Sequence, residues 1–353
     1  MSEMTAVAWH GRGDVRVGPW PLADALPDGW VRLEVAWCGL CGSDVAEYAS
    51  GPVVVPTRPH PLSGRQAPLV LGHEISGMVV ATGTGVTGLA VGDAVVTDTL
   101  IGCETCAHCR RGDVNLCRLL AAAGLSADGG LADYVDVPAA TCVPLPAHVP
   151  LDVAALAEPL AVAVRALDRA GPLDGADVVV LGAGTVGSLI ALLLEATPAR
   201  SLVVAERRAA QRGLVGRLTA AHVVESLGAS PPRPDRRVVA FECTGSSAAL
   251  NELIAGLPAH SRIVVVGVHG HRTPTDLHTL VHRELDLNGS LSHSRADFRR
   301  AVIALGDDPG RYEPLITHRI GWTDVPIGLH ELAGAQTTAG KVLAGPEGDR
   351  WTT

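Results

Sequence analysis

Asp177-Val-Val-Val-Leu-Gly-Ala-Gly-Thr-Val-Gly-Ser-Leu-Ile-Ala-Leu-Leu-Leu194 is the stretch on which the fold turns. With its flanks, Ala176 to Ala196, it is apolar enough to tempt a membrane span, which needs ~20 apolar residues, but its glycines interrupt that reading. The pattern predicts a buried strand at Asp177 to Leu181, a turn at Gly182 to Gly187 and a helix from Ser188 onward. A G-x-G-x-x-G turn that follows a strand and opens a helix lets the backbone approach a pyrophosphate, held where unpaired N–H groups and the helix dipole favour negative charge. Glu206 stands nineteen residues past the last glycine, placed to accept hydrogen bonds from adenosine ribose hydroxyls. The dinucleotide set is therefore Gly182, Gly184, Thr185, Val186, Gly187, Glu206 and Arg207. A carboxylate repels a 2′-phosphate, so NAD is expected in preference to NADP, although Arg207 and Arg208 offer charges that accommodate one.

On either side of this stretch the texture differs. From Pro150 helices and strands alternate: Asp152 to Arg169 is apolar at helical spacing, Ser201 to Ala205 and Val238 to Glu242 read as strands, Ala248 to Ala255 as helix, and Arg262 to Val268 as strand. Such alternation implies a parallel sheet wound by right-handed crossovers. The first 150 residues instead hold short Val- and Thr-rich runs among Gly and Pro, such as Trp30 to Ala36 and Ala94 to Thr97, which read as an all-β unit. After about Ser290 the chain returns to mixed, turn-rich sequence. With 353 residues, two domains are expected, and a net charge of -9 without a long basic run argues against nucleic acid or an anionic membrane as partner. A small-molecule ligand fits better. Met1 to Trp20 lacks the basic start and apolar core of a signal peptide, so a cytoplasmic location is expected.

In a reducing compartment the eight cysteines are expected as metal ligands, reactive thiols or core fillers rather than disulfides. Cys103-x2-Cys106-x2-Cys109-x7-Cys117 brings four thiolates within fifteen residues, enough to close tetrahedrally on one structural zinc. Cys142 and Cys243 lie in apolar strands and read as core. Cys38 and Cys41 form C-x-x-C without the βαβ surroundings of a redox pair, which leaves Cys38 to packing.

Three further segments share no informative spacing: Cys38-Gly-Leu-Cys41-Gly-Ser43-Asp44, Gly72-His73-Glu74 and Ala157-Glu158-Pro159. Together with the four-cysteine lobe and the glycine turn, in this order, they make the chain resemble the zinc-dependent medium-chain alcohol and polyol dehydrogenases. The resemblance spans nearly the whole length, including Gly92-Asp93, Gly129 to Tyr134, Glu242 to Gly245 and Gly340 to Val342. It implies an α/β protein in which a GroES-like β-barrel catalytic domain, residues 1–155 and 292–353, embraces a Rossmann domain with a doubly wound parallel sheet, residues 156–291. Cys41 and His73 match the family's catalytic zinc ligands, and Glu74 follows the histidine as a direct or inner-sphere partner. Glu158 lies where the sorbitol and butanediol branch carries a glutamate, and Tyr48 with Pro59 to Gly64 looks most like butanediol dehydrogenases. Asp44 matches a carboxylate that orients the histidine ligand.

The resemblance thus implies two zinc ions per chain and reversible NAD-linked oxidation of a secondary alcohol, namely a vicinal diol, polyol or cyclitol. A catalytic zinc keeps one open position, where a substrate hydroxyl binds with lowered pKa. Ser43 would bind that hydroxyl and relay its proton. Relatives often carry a histidine three residues after this serine; here Ala46 stands instead, so the relay is transferred only as far as Ser43. Amino-alcohol, aminocyclitol or threonine dehydrogenation would use the same zinc chemistry, and a non-catalytic nucleotide-binding homologue is the alternative of another class. A homodimer or homotetramer is expected, closed symmetric assemblies being the commonest. His269, His271, His278 and His282 lack a carboxylate or third ligand in sequence and read as surface or loop residues. Arg295, Arg299 and Arg300 read as a solvated helix face. Lys341, the sole lysine, is a candidate contact for a cofactor phosphate in such a fold, on the weak signal of a single basic residue.

Overall fold

A run of β-branched residues that is apolar at every position, rather than at alternate ones, belongs in a sheet covered on both faces. Val178, Val179, Val180 and Leu181 are all buried, and the strand Asp177–Leu181 lies inside a six-stranded sheet. The computed structural model describes residues 2–334 and 337–346. Chain contacts divide it into two compact units, one made of the chain up to Glu158 with the segment from Ser294 onward, the other of Pro159–His293. The expected boundaries were 155/156 and 291/292; residues 335, 336 and 347–353 of the expected β domain lie outside the described residues.

In the second unit every pairing is parallel, in the order His222–Val224, Ser201–Ala205, Asp177–Leu181, Val238–Glu242, Arg262–Val265, Asp286–Gly289. Numbered within the unit this is 3-2-1-4-5-6, the order that opens a binding crevice at the strand C-termini where the winding reverses, between the first strand and the fourth. The helix after the glycine turn begins at Thr185, three residues earlier than the sequence reading, with Gly184 as N-cap. Gly187 therefore sits in the first helical turn, where close backbone approach outweighs the ordinary cost of glycine in a helix. Arg262–Val265 is shorter than expected, because Val266 and Gly267 turn their N–H groups to the Glu242 carbonyl. Asp152 to Arg169 is two helices, Leu151–Ala154 and Ala157–Ala170, and the second carries Glu158 in its first turn.

The first unit holds a three-stranded sheet and a seven-stranded, mainly antiparallel one. At the centre of the larger sheet, Trp30–Gly39 pairs with Glu74–Thr82, with Tyr134–Pro138 and with Lys341–Gly345. The last of these pairings, Leu343 against Gly39 and Ala344 against Cys38, is how the C-terminal segment completes a sheet begun some 300 residues earlier. Val31, Leu33, Val35, Leu71, Ile75, Val79, Leu131 and Val342 are buried together behind it. Among the described residues no helix is long and apolar enough to cross a membrane.

Candidate active site and metal centres

The central strand Trp30–Gly39 delivers the chain to Cys41, the N-cap of the helix Gly42–Ser50. A helix start leaves N–H groups without intrahelical partners, and a side chain three residues on can reach back to the cap. Asp44 does so, its Oδ2 accepting from Cys41 N at 2.9 Å. The other oxygen, Oδ1, faces His73 Nδ1 at 3.6 Å, and both atoms are buried without a closer partner. His73 thus presents Nε2 on its other side, where Ser43 Oγ lies 3.2 Å away. The residue before it, Gly72, has φ 93°, and a Cβ there would meet Cys38 Sγ and the Leu131 side chain at 2.6 Å. Only glycine lets the strand Glu74–Thr82 start here with the histidine turned inward.

Cys41 Sγ, a His73 nitrogen and a Glu74 oxygen lie within 4.8 Å of one another. Glu158 approaches the same cluster from the start of its helix, close enough for its charge to act on His73, Glu74 and Lys341. Burial opposes a charge on His73, yet the Asp44 carboxylate, the Cys41 sulfur and Glu158 together hold its imidazole well above the usual range. A buried site gathering this much negative charge around one histidine fits a divalent cation. The residues present suit a zinc ion, with Asp44 as the outer carboxylate that fixes the ring.

Glu74 is fully buried, and its space comes from Gly39 opposite, where a Cβ would stand 1.8 Å from Oε2. Lys341 Nζ donates to Glu74 Oε1 at 2.7 Å, to Oε2 at 2.6 Å and to the Leu40 carbonyl at 3.0 Å, which uses all three ammonium protons. Burial lowers the Lys341 pKa, but the Glu74 carboxylate outweighs it and raises the net value. The lysine therefore does not face a cofactor phosphate; it joins the C-terminal strand to the two segments that carry Cys41 and His73. The signal for this was its being the only lysine in a chain of arginines: a compact ammonium closes over a carboxylate in space a guanidinium would overfill.

The sulfurs of Cys103, Cys106, Cys109 and Cys117 also lie within 4.8 Å of one another, with Cys106 and Cys109 at 3.5 Å. A tetrahedron of ~2.3 Å zinc–sulfur bonds has edges of ~3.8 Å, so the cage has the right size for zinc. Backbone N–H groups already point at sulfur: Cys109 N at Cys106 Sγ, and Cys103 N and Leu119 N at Cys117 Sγ, all 3.4 Å. The Thr105 hydroxyl, first among several donors, lowers Cys103 to about 6, whereas burial pushes Cys109 up to about 12. Four sulfurs around one ion would leave no open position, the arrangement of a closed site rather than a catalytic one. Glu104, between the first two cysteines, pairs with Arg295 at 2.7 Å, so one of the arginines read as solvated anchors the lobe instead, and Arg300 pairs with Asp297. Burial raises the thiol pKa values of Cys38, Cys142 and Cys243, Cys142 to about 12, as expected of packing residues.

At the glycine turn the three glycines have distinct roles. Gly182 has φ 97°, and a Cβ on Gly187 would lie 1.9 Å from the Gly182 carbonyl. A Cβ on Gly184 would meet nothing within 4 Å: this is open space at the head of the ten-residue helix Thr185–Leu194, the cradle a pyrophosphate requires. Glu206 lies beside it, Oε2 accepting from Ala183 N at 2.8 Å. On the neighbouring strand ends His269 Nε2 meets Glu242 Oε2 at 3.1 Å, a carboxylate partner that sequence spacing did not reveal. His278 and His282 are exposed and stacked, ring centroids 3.9 Å apart.

Residues 27–147 match the family model of the alcohol dehydrogenase GroES-like domain. Over 354 aligned residues the chain is 30% identical to an (R,R)-butanediol dehydrogenase of Neisseria gonorrhoeae, covering 97% of this chain and 99% of that protein. The crystal structure of 2R,3R-butanediol dehydrogenase from Bacillus subtilis superposes with TM-score 0.86 at 28% identity, covering 98% of this chain and all of that one. A zinc-binding dehydrogenase of Sinorhizobium meliloti bound to NADP matches with the same score, identity and coverage. The chain belongs to the zinc-dependent medium-chain alcohol and polyol dehydrogenases, with a GroES-like domain and a Rossmann domain. It is a zinc-type, NAD(P)-linked oxidoreductase acting on a small-molecule alcohol.

Proposed function

We propose that the substrate is a vicinal diol, polyol or cyclitol, oxidised reversibly to the ketone with NAD as the favoured acceptor. The observation that carries this is the cluster of Cys41, His73 and Glu74, with Glu158 near enough for its charge to act on it and Ser43 Oγ 3.2 Å from His73 Nε2, on a chain similar to a butanediol dehydrogenase over 97% of its length. Cys41, His73 and the two glutamates would hold the catalytic zinc; Cys103, Cys106, Cys109 and Cys117 would hold the structural one. A zinc ion in the first site supplies Lewis-acid polarisation of the substrate hydroxyl, and the nicotinamide supplies the hydride acceptor.

The chain's own residues do the rest. Asp44 holds the His73 ring so that Nε2 faces the cluster. With Nε2 turned to the cluster, the Ser43 hydroxyl would accept the proton that leaves the carbinol oxygen while passing its own proton on to water. Beyond Ser43 the helix offers Ala46, which carries no proton, and Tyr48, whose hydroxyl meets His330 Nδ1 at 3.4 Å. Glu206 binds the adenosine ribose hydroxyls, which favours NAD. A cytoplasmic, reducing setting suits metal ligands that must remain thiolates, and a closed homodimer or homotetramer suits the class.

Incubating the enzyme with diols, sugar alcohols, cyclitols and amino alcohols, with NAD or NADP in turn, tests the reading through reduced-cofactor absorbance. Turnover is expected with a vicinal diol or polyol and NAD; turnover confined to an amino alcohol, or to NADP, contradicts it. Ser43→Ala is expected to lower kcat by roughly 10²- to 10⁴-fold, the usual contribution of a positioned acid–base group, while zinc content stays unchanged. An unchanged rate would mean that the proton leaves by another path.

A further inference from the structure

Glu242 ends the strand Val238–Glu242 fully buried, and its carboxylate binds the loops beyond that strand and the next. Oε1 accepts from the backbone N–H of Thr244 at 2.7 Å and of Gly245 at 3.0 Å, and from the Thr244 hydroxyl. Oε2 faces His269 Nε2 at 3.1 Å. A carboxylate only accepts, so Nε2 carries the proton. In the neutral ring Nδ1 then accepts from the Thr273 hydroxyl at 3.2 Å, whose oxygen lies 2.9 Å from Ser247 Oγ. Donors run one way, from Ser247 through Thr273 and His269 to a buried acceptor. The His269 side chain is 15% exposed, so little water competes for these bonds.

The network sits where three loops meet. A Cβ on Gly267 would stand 2.1 Å from Gly245 N and 3.0 Å from Glu242 Oε2, and one on Gly182 would meet the Thr244 methyl at 2.7 Å. The loop after the strand Arg262–Val265 is therefore packed on the loop after Val238–Glu242, and that one on the first glycine of the turn. In a sheet of this order a dinucleotide lies across the point where the winding reverses, one half on each side. With Glu206 on the adenosine side, the nicotinamide side falls at the fourth and fifth strands, where Glu242 and His269 join the two loops. Val268, next to His269, is 81% exposed, an apolar side chain that this loop holds out rather than buries. We propose that His269 is a positioning residue for the nicotinamide half of the dinucleotide: by bridging the buried Glu242 carboxylate to the Thr273 and Ser247 hydroxyls, it locks the loop after Arg262–Val265 in the shape that receives that half. The proposal rests on the nucleotide reading of the glycine turn.

The test is calorimetric binding of NADH, NADPH and AMP to the zinc-loaded wild-type enzyme and to His269→Ala and His269→Gln. The two dinucleotides carry the nicotinamide half, and AMP lacks it. His269→Ala is expected to weaken the dinucleotide that wild type prefers by roughly tenfold, the contribution of one hydrogen bond to a buried carboxylate, and to leave AMP within about threefold. The amide of His269→Gln can donate to Glu242 and accept from Thr273, so this variant is expected to recover most of the affinity. Equal weakening of AMP and dinucleotide by His269→Ala would mark a general loosening of the unit and overturn the proposal. Unchanged dinucleotide binding by His269→Ala, or a glutamine variant as weak as the alanine one, would overturn it too, while leaving the nucleotide reading intact. Wild-type enzyme that binds none of the three ligands would overturn the nucleotide reading and the proposal together, whereas a wild-type preference for NADPH would overturn only the preference for NAD and leave the His269 comparison decisive.

Discussion

Lys341→Met is expected to destabilise the protein by about 3–5 kcal/mol, the usual cost of breaking a buried ion pair from one side. The side chains of Lys341 and Glu74 are 1% and 0% exposed, so no water replaces the lost ammonium. Three hydrogen bonds disappear at once, and the remaining carboxylate faces Glu158 across a site that also holds Cys41. Removing both charges is far less costly than removing one. Lys341→Met combined with Glu74→Gln should therefore recover most of the loss in chemical denaturation, and a single variant as stable as wild type would show that the pair is solvated. The destabilisation should be larger in protein stripped of zinc, because a bound cation offers the orphaned carboxylate another positive neighbour.

Cys41→Ala is expected to reduce turnover by at least roughly a thousandfold, because Lewis-acid stabilisation worth several kcal/mol is lost with the ligand. The folded structure should survive. Cys41 is the N-cap of its helix, and the bond from its backbone N–H to the Asp44 carboxylate persists in alanine. Circular dichroism and the unfolding midpoint should stay near wild type, and the effect should appear in kcat more than in nucleotide affinity, since Glu206 and the glycine turn are untouched. A variant with more than a tenth of wild-type activity would remove Cys41 from the chemistry.

Legibility in the sequence followed contact distance. The glycine turn and the four-cysteine lobe are local: their spacing alone names the backbone approach and the sulfur cage, and the structure shows an open Gly184 and four clustered sulfurs. The start of the helix at Thr185 was misplaced because Gly187 reads as turn, whereas its lack of a Cβ serves contact with the Gly182 carbonyl inside the helix. Cys41, His73 and Glu158 came only through family resemblance, since nothing in their spacing places them together. Lys341 and Glu74 are 267 residues apart and are joined by the pairing of the last strand with Trp30–Gly39, which no periodicity displays. His269 meets Glu242 because their strands are adjacent in the parallel sheet, with Glu242 opposite Val265. That register carries the histidine loop over the carboxylate, and without it His269 reads as a surface residue.

Zinc stoichiometry is the most direct measure of the two-centre account. Elemental analysis of the purified wild-type chain should give two zinc ions per chain, and Cys41→Ala should retain one, held by Cys103, Cys106, Cys109 and Cys117. A wild-type chain with a single zinc that survives Cys41→Ala unchanged would contradict a metal at Cys41 and His73, and with it the proposed chemistry.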